Sequence, residues 1–327
     1  MINWLRRFFK GQEAAPLTSA AAAAAAPAPI EDAVSELQPV DLPLLFFRTL
    51  AGASDEPPPA AAQLILDELA RLVASPQQGA DLVPRVPAVI PQLLKSLRDE
   101  AVSGADLARQ LAQDVVLVAE VIREANSPYF SPPSPIRTIE GAVMLLGQNG
   151  MRMLLARVAF RPIISMQTGR FAHQGAPLVW RESEACALAA SLLAPAAQAN
   201  VFEAYLAGLL HHVGLIVALR LIDQVYSGAA LPASPEFARA LLADARQLSA
   251  NIATIWDFPP SVAAAIEQAG TPIPESPLAR VLAGAERLAM LRLLVDGGQL
   301  AAPQAAVPAS EQTVFAQLSA QLQATGA

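Results

Sequence analysis

Residues 202–219 read FEAYLAGLLHHVGLIVAL and lie inside a helix predicted over 201–222. The run holds two of the chain's three histidines side by side, His211 and His212, so imidazole chemistry of any kind is concentrated here. Helices continue in both directions from it. Apolar stripes at helical spacing predict 179–194 before it and 236–256, 260–269 and 277–295 after it, the last stopped by Gly297 and Gly298. Upstream, 148–160 is helical and Thr138 begins a helix over 139–146. Ser103, with Asp106 three residues later, resembles a capping box opening 105–113, and Pro87 opens 88–97. Residues 299–308 form a Pro/Ala connector, and 310–324 is a terminal helix candidate. No alternating strand run and no repeat of fixed period occurs, so the expected fold class is all-α.

Composition agrees with that class. Apolar residues make up 54% of the chain, much of it alanine, while aromatics are only 5%, a mixture that favours closely packed helices over a β-sandwich. At 327 residues the core needs neither metal nor disulfide to form. A net charge of −7 and a pI near 5.1 create no global positive field, which argues against nucleic acid as a partner. The single cysteine, Cys186, excludes a disulfide framework and a Cys-based zinc site; it fits a reducing, cytoplasmic setting and reads as a small apolar core residue. No run of eighteen or more strongly apolar residues is read in the sequence, so no segment is expected to span a bilayer. Secretion is rejected because Lys10, Gln12 and Glu13 interrupt the place of an apolar signal core.

The N-terminal part is organised differently. Residues 1–10, MINWLRRFFK, set Ile2, Leu5, Phe8 and Phe9 against Arg6, Arg7 and Lys10, an amphipathic segment suited to peripheral contact with an anionic membrane or to packing on its own domain. Residues 11–30, rich in alanine and proline, form a flexible linker. Residues 31–80 make a helical preamble, with apolar segments at 42–50 and 63–73 flanking the proline run Pro57 to Pro59.

Standard catalytic signatures are missing: the chain has no GxSxG elbow, no GxxxxGK[ST] loop, no GxGxxG turn after a strand and no HExxH. His173, in TGRFAHQGAP between Gly169 and Gly175, reads as a solvent-facing loop residue. Asn126-Ser127-Pro128 reads as a helix stop, with Asn126 able to cap the turn.

Several landmarks occur in order: Val86-Pro87-Ala88; Ala125-Asn126-Ser127 followed by Tyr129-Phe130; Ile139-Glu140-Gly141-Ala142-Val143 leading to Leu145-Leu146-Gly147; Trp180 ahead of a long helix; and LAGLLHHVGL at 206–215. Together they resemble the HDOD domain family, whose corresponding helix carries LAGLLHDIGKL. The resemblance implies a multi-helix bundle of the HD-superfamily type with a helical N-terminal preamble, the HDOD domain covering 81–275 and a C-terminal helical tail, 276–327, packing on it.

In the parent HD hydrolases a histidine, a His-Asp pair and a distal aspartate gather around metal ions that activate water. By that resemblance Glu182 stands at the first histidine, His211 keeps the second, His212 replaces the paired aspartate and Glu286 replaces the distal one. Leu215 takes the place of a lysine often found there, and the additional His-His pair of some cyclic-dinucleotide phosphodiesterases is Glu267-Gln268. The implied centre is therefore degenerate, with no catalytic residue, metal or cofactor expected. The resemblance implies a non-enzymatic signal-transduction module, a pseudo-enzyme acting through a signalling protein partner. Two alternatives stand beside it: a residual metal-dependent phosphohydrolase or nucleotide-binding protein using Glu182, His211, His212 and Glu286, and a membrane-surface adaptor using residues 1–10.

Overall fold

The computed structural model describes residues 40–52, 59–75, 115–127, 132–165, 167–300 and 307–325, together with Leu82, Asp106 and Arg109. Among them every regular element is helical: α1 (Leu42–Ala51), α2 (Pro59–Ala74), α3 (Val115–Ala125), α4 (Ile139–Ser165), α5 (Arg170–Leu193), α6 (Val201–Leu210), α7 (Val213–Val225), α8 (Pro235–Ile255), α9 (Pro260–Ala269), α10 (Pro277–Asp296), a short 3-10 turn (Ala309–Glu311) and α11 (Gln312–Thr325). The fold is an all-α bundle. The expectations for residues 1–30 and 88–97 lie outside the described residues; of 105–113 only Asp106 and Arg109 are described, both helical and paired to each other.

Helix starts follow local chemistry where the sequence supplies it. Asn200 accepts from the Phe202 and Glu203 amides at 3.0 Å, Ser234 from Phe237 at 3.2 Å and Ser276 from Ala279 at 3.1 Å, with Pro235 and Pro277 at the first helical position of α8 and α10. Gly147 divides α4 at the point where two helices are predicted, its φ of 67° being open to glycine and costly for other residues. Asn126 ends α3 and does more than cap it. Its side chain accepts from the Ile136 amide at 2.7 Å and donates to the Ile136 carbonyl at 2.8 Å, tying the end of α3 to Ile136.

The two largest departures from the expected helices concern α5 and the His211–His212 segment. α5 starts at Arg170, nine residues before the predicted 179, and runs through Pro177. Its first turn is capped from a distance by Asp223, which accepts from the Phe171 and Ala172 amides at 2.8 and 3.0 Å, while Phe171, Ala172 and Ala176 are buried. Burial and this remote cap outweigh the cost of the proline. His173 is accordingly a helix residue, although it does face solvent. The second difference is that the predicted single helix 201–222 is two, α6 and α7, separated by a turn at His211 and His212. By length and composition the stretch Val201–Val225 is apolar enough to cross a membrane, contrary to the sequence expectation, but it is almost entirely buried inside the protein.

α5 occupies the centre. From Glu182 to Ser191 every residue is buried, so this helix is covered on all sides, by α4, α6, α7, α10 and α11, with α1 touching it as well. α8 packs against α7, α9, α2 and α1. The preamble helices are thus part of the core: Phe46 and Phe47 of α1 and Ile65 and Leu69 of α2 are fully buried.

Candidate functional site

The turn between α6 and α7 is built for close packing. A Cβ at Gly208 would lie 2.6 Å from the Ala187 backbone of α5, and one at Gly214 would lie 2.1 Å from the Ala245 carbonyl oxygen of α8. Both approaches require glycine. Ser249 of α8 joins the broken backbone: its hydroxyl accepts from the Gly214 amide at 2.8 Å and donates to the His211 carbonyl at 2.7 Å. The two histidines are thereby held at a helix break inside the core.

Around them the structure brings together all four residues singled out from sequence. Glu182 from α5 is fully buried, and its Oε2 lies 3.0 Å from His211 Nε2 and 2.7 Å from His212 Nδ1. The carboxylate thus faces a ring nitrogen of each histidine, and towards His211 the attraction is chiefly one of charge. The imidazole rings lie 4.0 Å apart, centre to centre. Glu286 from α10 stands on the far edge, Oε1 4.0 Å from His212 Nε2.

Three further side chains complete the centre, and none carries a motif. Arg246 of α8 donates from Nη2 to Glu286 Oε1 at 2.5 Å. Phe46 of α1 stacks on His212, with ring centres 5.3 Å apart and planes within 3°. Cys186 is buried, as composition implies, yet its sulfur is within 4.8 Å of ligand atoms of Glu182 and His211. The one available sequence signal was its spacing four residues after Glu182, which puts both on one face of α5.

Protonation states follow from this geometry. His211 Nδ1 is 2.7 Å from the Gly208 carbonyl, so it carries a hydrogen, while Nε2 faces a carboxylate. Both nitrogens therefore favour protonation. Burial opposes the imidazolium, but the Glu182 carboxylate beside it more than offsets burial and raises its pKa well above 6.5. Burial would likewise raise the Glu182 carboxyl, but the two histidines pull it down to about 2. His212 stays neutral, its pKa lowered by burial and by the charge of His211. Glu286 is disfavoured as an ion by burial, yet held below its ordinary value by Arg246. Burial pushes the Cys186 thiol up to about 11, so it is protonated at neutral pH.

Ligand atoms of Glu182, Cys186 and His211, and separately of His211, His212 and Glu286, lie close enough together to hold an ion. The residues as arranged nonetheless do not fit the metal of the parent hydrolases. One triplet needs the Glu286 oxygen that Arg246 already engages, and the other needs the Cys186 sulfur, a soft donor in place of the hard oxygen ligands of a hydrolase. Among the described residues no aspartate joins these ligand sets.

A second buried charge cluster lies elsewhere on α5. Arg157 of α4 pairs with Glu124 of α3 and, at 2.5 Å, with Glu184, while Arg161 reaches Glu124 at 3.2 Å. Burial raises the Glu184 carboxyl even against Arg157. This cluster ties three helices together.

The model of the HDOD domain matches residues 83–272, more than half of the chain. An uncharacterised protein of Treponema pallidum is 28% identical over 156 residues, which is 47% of this chain and 29% of that relative, so the chain spans less than a third of its length. The crystal structure of an HDOD domain protein of unknown function from Geobacter sulfurreducens superposes with a TM-score of 0.58 at 21% identity, covering 79% of this chain and 98% of that one. A Shewanella amazonensis structure, named as a candidate metal-dependent phosphohydrolase, gives a TM-score of 0.55 at 20% identity, covering 80% and 99%. At these identities the solved structures speak to the fold alone, whereas the domain match extends over helices α3 to α9 and includes the His211–His212 turn. This chain belongs to the HDOD domain family.

Proposed function

We propose that the protein is a non-enzymatic signal-transduction module acting through protein contacts, and that Glu182, His211, His212 and Glu286 are a hydrolase centre converted into a structural one. One observation carries this reading: the centre is closed, and each of its carboxylates already has a partner within the protein. Glu182 and His211 are at most 1% exposed, His212 and Glu286 at most 7%, and Phe46 covers the His212 ring. The charges of Glu182 and Glu286 are matched by His211 and Arg246. A phosphoester needs both an approach path and an open metal position, and this arrangement offers it neither.

The test is elemental analysis of the full-length protein purified without chelator, with a phosphoester panel assayed in added Mn²⁺. The expected result is no stoichiometric metal and no turnover. Stoichiometric Zn, Mn or Fe together with turnover, both lost in His211→Ala, would establish the second reading, a single-metal phosphohydrolase, which the two closely spaced ligand triplets favour.

A further inference from the structure

We infer that Arg246 is a resident cation at this centre, a guanidinium that takes the place of a metal ion at Glu286 and keeps divalent ions out. The inference deepens the proposed function and rests on it for the closed state of the site.

Position is the first argument. Arg246 lies on α8, three residues before the Ser249 that fixes the His211 turn, so the same helix supplies both the brace and the charge. Its Nη2 is 2.5 Å from Glu286 Oε1, and His212 Nε2 is 4.0 Å from that same oxygen. The oxygen a metal would need is therefore already bound by a fixed positive group.

Space is the second and independent argument. Gly270, at the C-terminus of α9, has φ −81° and ψ −5°, values any residue adopts, so backbone conformation does not explain a glycine there. A Cβ at this position would stand 2.7 Å from both Cδ and Nε of Arg246. Gly270 is the cradle of the arginine stem. α9 ends in a way that makes room for this one side chain.

Charge is the third. The fixed guanidinium of Arg246 and the Glu286 carboxylate cancel each other inside a buried region, and a dication added beside Arg246 would set like charges against each other there. With Arg246 removed, His211, His212 and Glu286 become a free N, N, O donor set whose atoms lie within 4.8 Å of one another, with a carboxylate whose charge a dication relieves.

The experiment compares full-length wild type, Arg246→Met, Gly270→Ala and the double variant Arg246→Met/Glu286→Gln, each stripped with chelator and dialysed. Mn²⁺ and Zn²⁺ are titrated by calorimetry, bound metal is counted by elemental analysis, and thermal melting is followed with and without metal. Arg246→Met is expected to bind one ion at least tenfold more tightly than wild type and to melt higher when loaded, with both gains lost in the double variant. Gly270→Ala keeps the arginine but forces it from its cradle, and it is expected to give the same gain in smaller measure; it serves where Arg246→Met does not fold. Wild type binding one ion as tightly as the variants would overturn the inference, as would folded variants that bind no better than wild type. Failure of the proposed function has a different signature, metal-dependent turnover by the wild type itself.

Discussion

Glu182→Gln changes the charge of the buried centre while nearly preserving its volume, so its effect can be worked out from the geometry. The carboxyl is held at about 2, against 4.5 as its ordinary value. At about 1.4 kcal/mol per tenfold change, that gap corresponds to about 3 kcal/mol of stability. Because the folded value is the lower one, the contribution is fully present above pH 4.5 and is lost as pH falls toward 2. Near pH 3, about 2 kcal/mol of it has gone. His211 works at the other end: its folded value is raised, so its share is present below 6.5 and disappears as pH rises through the raised value. Glutamine removes the partner of both. Urea unfolding followed by tryptophan fluorescence suits the measurement, since the buried Trp180 lies two residues before Glu182. The variant is expected to lose about 2–3 kcal/mol at neutral pH, and its deficit against wild type should shrink on acidification and again in alkali. A deficit below about 0.5 kcal/mol, or one that does not change with pH, would show that Glu182 is not an ionised counterion and would remove the charge argument for a self-sufficient centre.

Phe46→Ala opens the cover over His212 and leaves a cavity where a fully buried ring stood; a loss of about 3–5 kcal/mol is expected from chemical denaturation. In the same variant the His212 imidazole, held below 6.5 by burial and by His211, should titrate closer to its ordinary value by proton NMR, and an unchanged titration would contradict the role given to α1. Gly214→Ala places a Cβ 2.1 Å from the Ala245 carbonyl and 2.6 Å from the Ser249 nitrogen, both backbone atoms. α7 must then move off α8, and thermal melting should report a destabilisation of about 2 kcal/mol or more.

What could be read from sequence and what could not divides along the range of the interactions. The starts of α8 and α10 were legible because Ser234 with Pro235 and Ser276 with Pro277 are adjacent in sequence to the amides they serve. The start of α5 was hidden because its cap is Asp223, more than fifty residues away, and because Gly169, Gly175 and Pro177 locally resemble a loop. The break at His211 and His212 was hidden for the same reason. His212 provides no side-chain cap for α7, and the group that satisfies the backbone there is Ser249 on another helix. In the centre itself, Glu182, His211, His212 and Glu286 could be named from ordered motifs, but Arg246 and Phe46 could not. Arginine on a predicted helix reads as a solvated residue, and only the pairing with Glu286, forty positions on, gives it a different meaning.

That division bears on how large the working unit is. The family match ends at residue 272, yet the centre takes a residue from each side of it: Phe46 on α1, before the matched segment, and Glu286 on α10, after it. Removing α1 would bare the His212 ring, and removing α10 would leave Arg246 without its carboxylate. A fragment cut to the matched residues would therefore carry the His-His turn but neither its cover nor its charge balance. His212 would meet water, and Arg246 would lose the anion that holds it. The preamble and the tail are thus part of the chemistry of the centre, and the closed state is a property of the chain from α1 to α10 rather than of the matched domain alone.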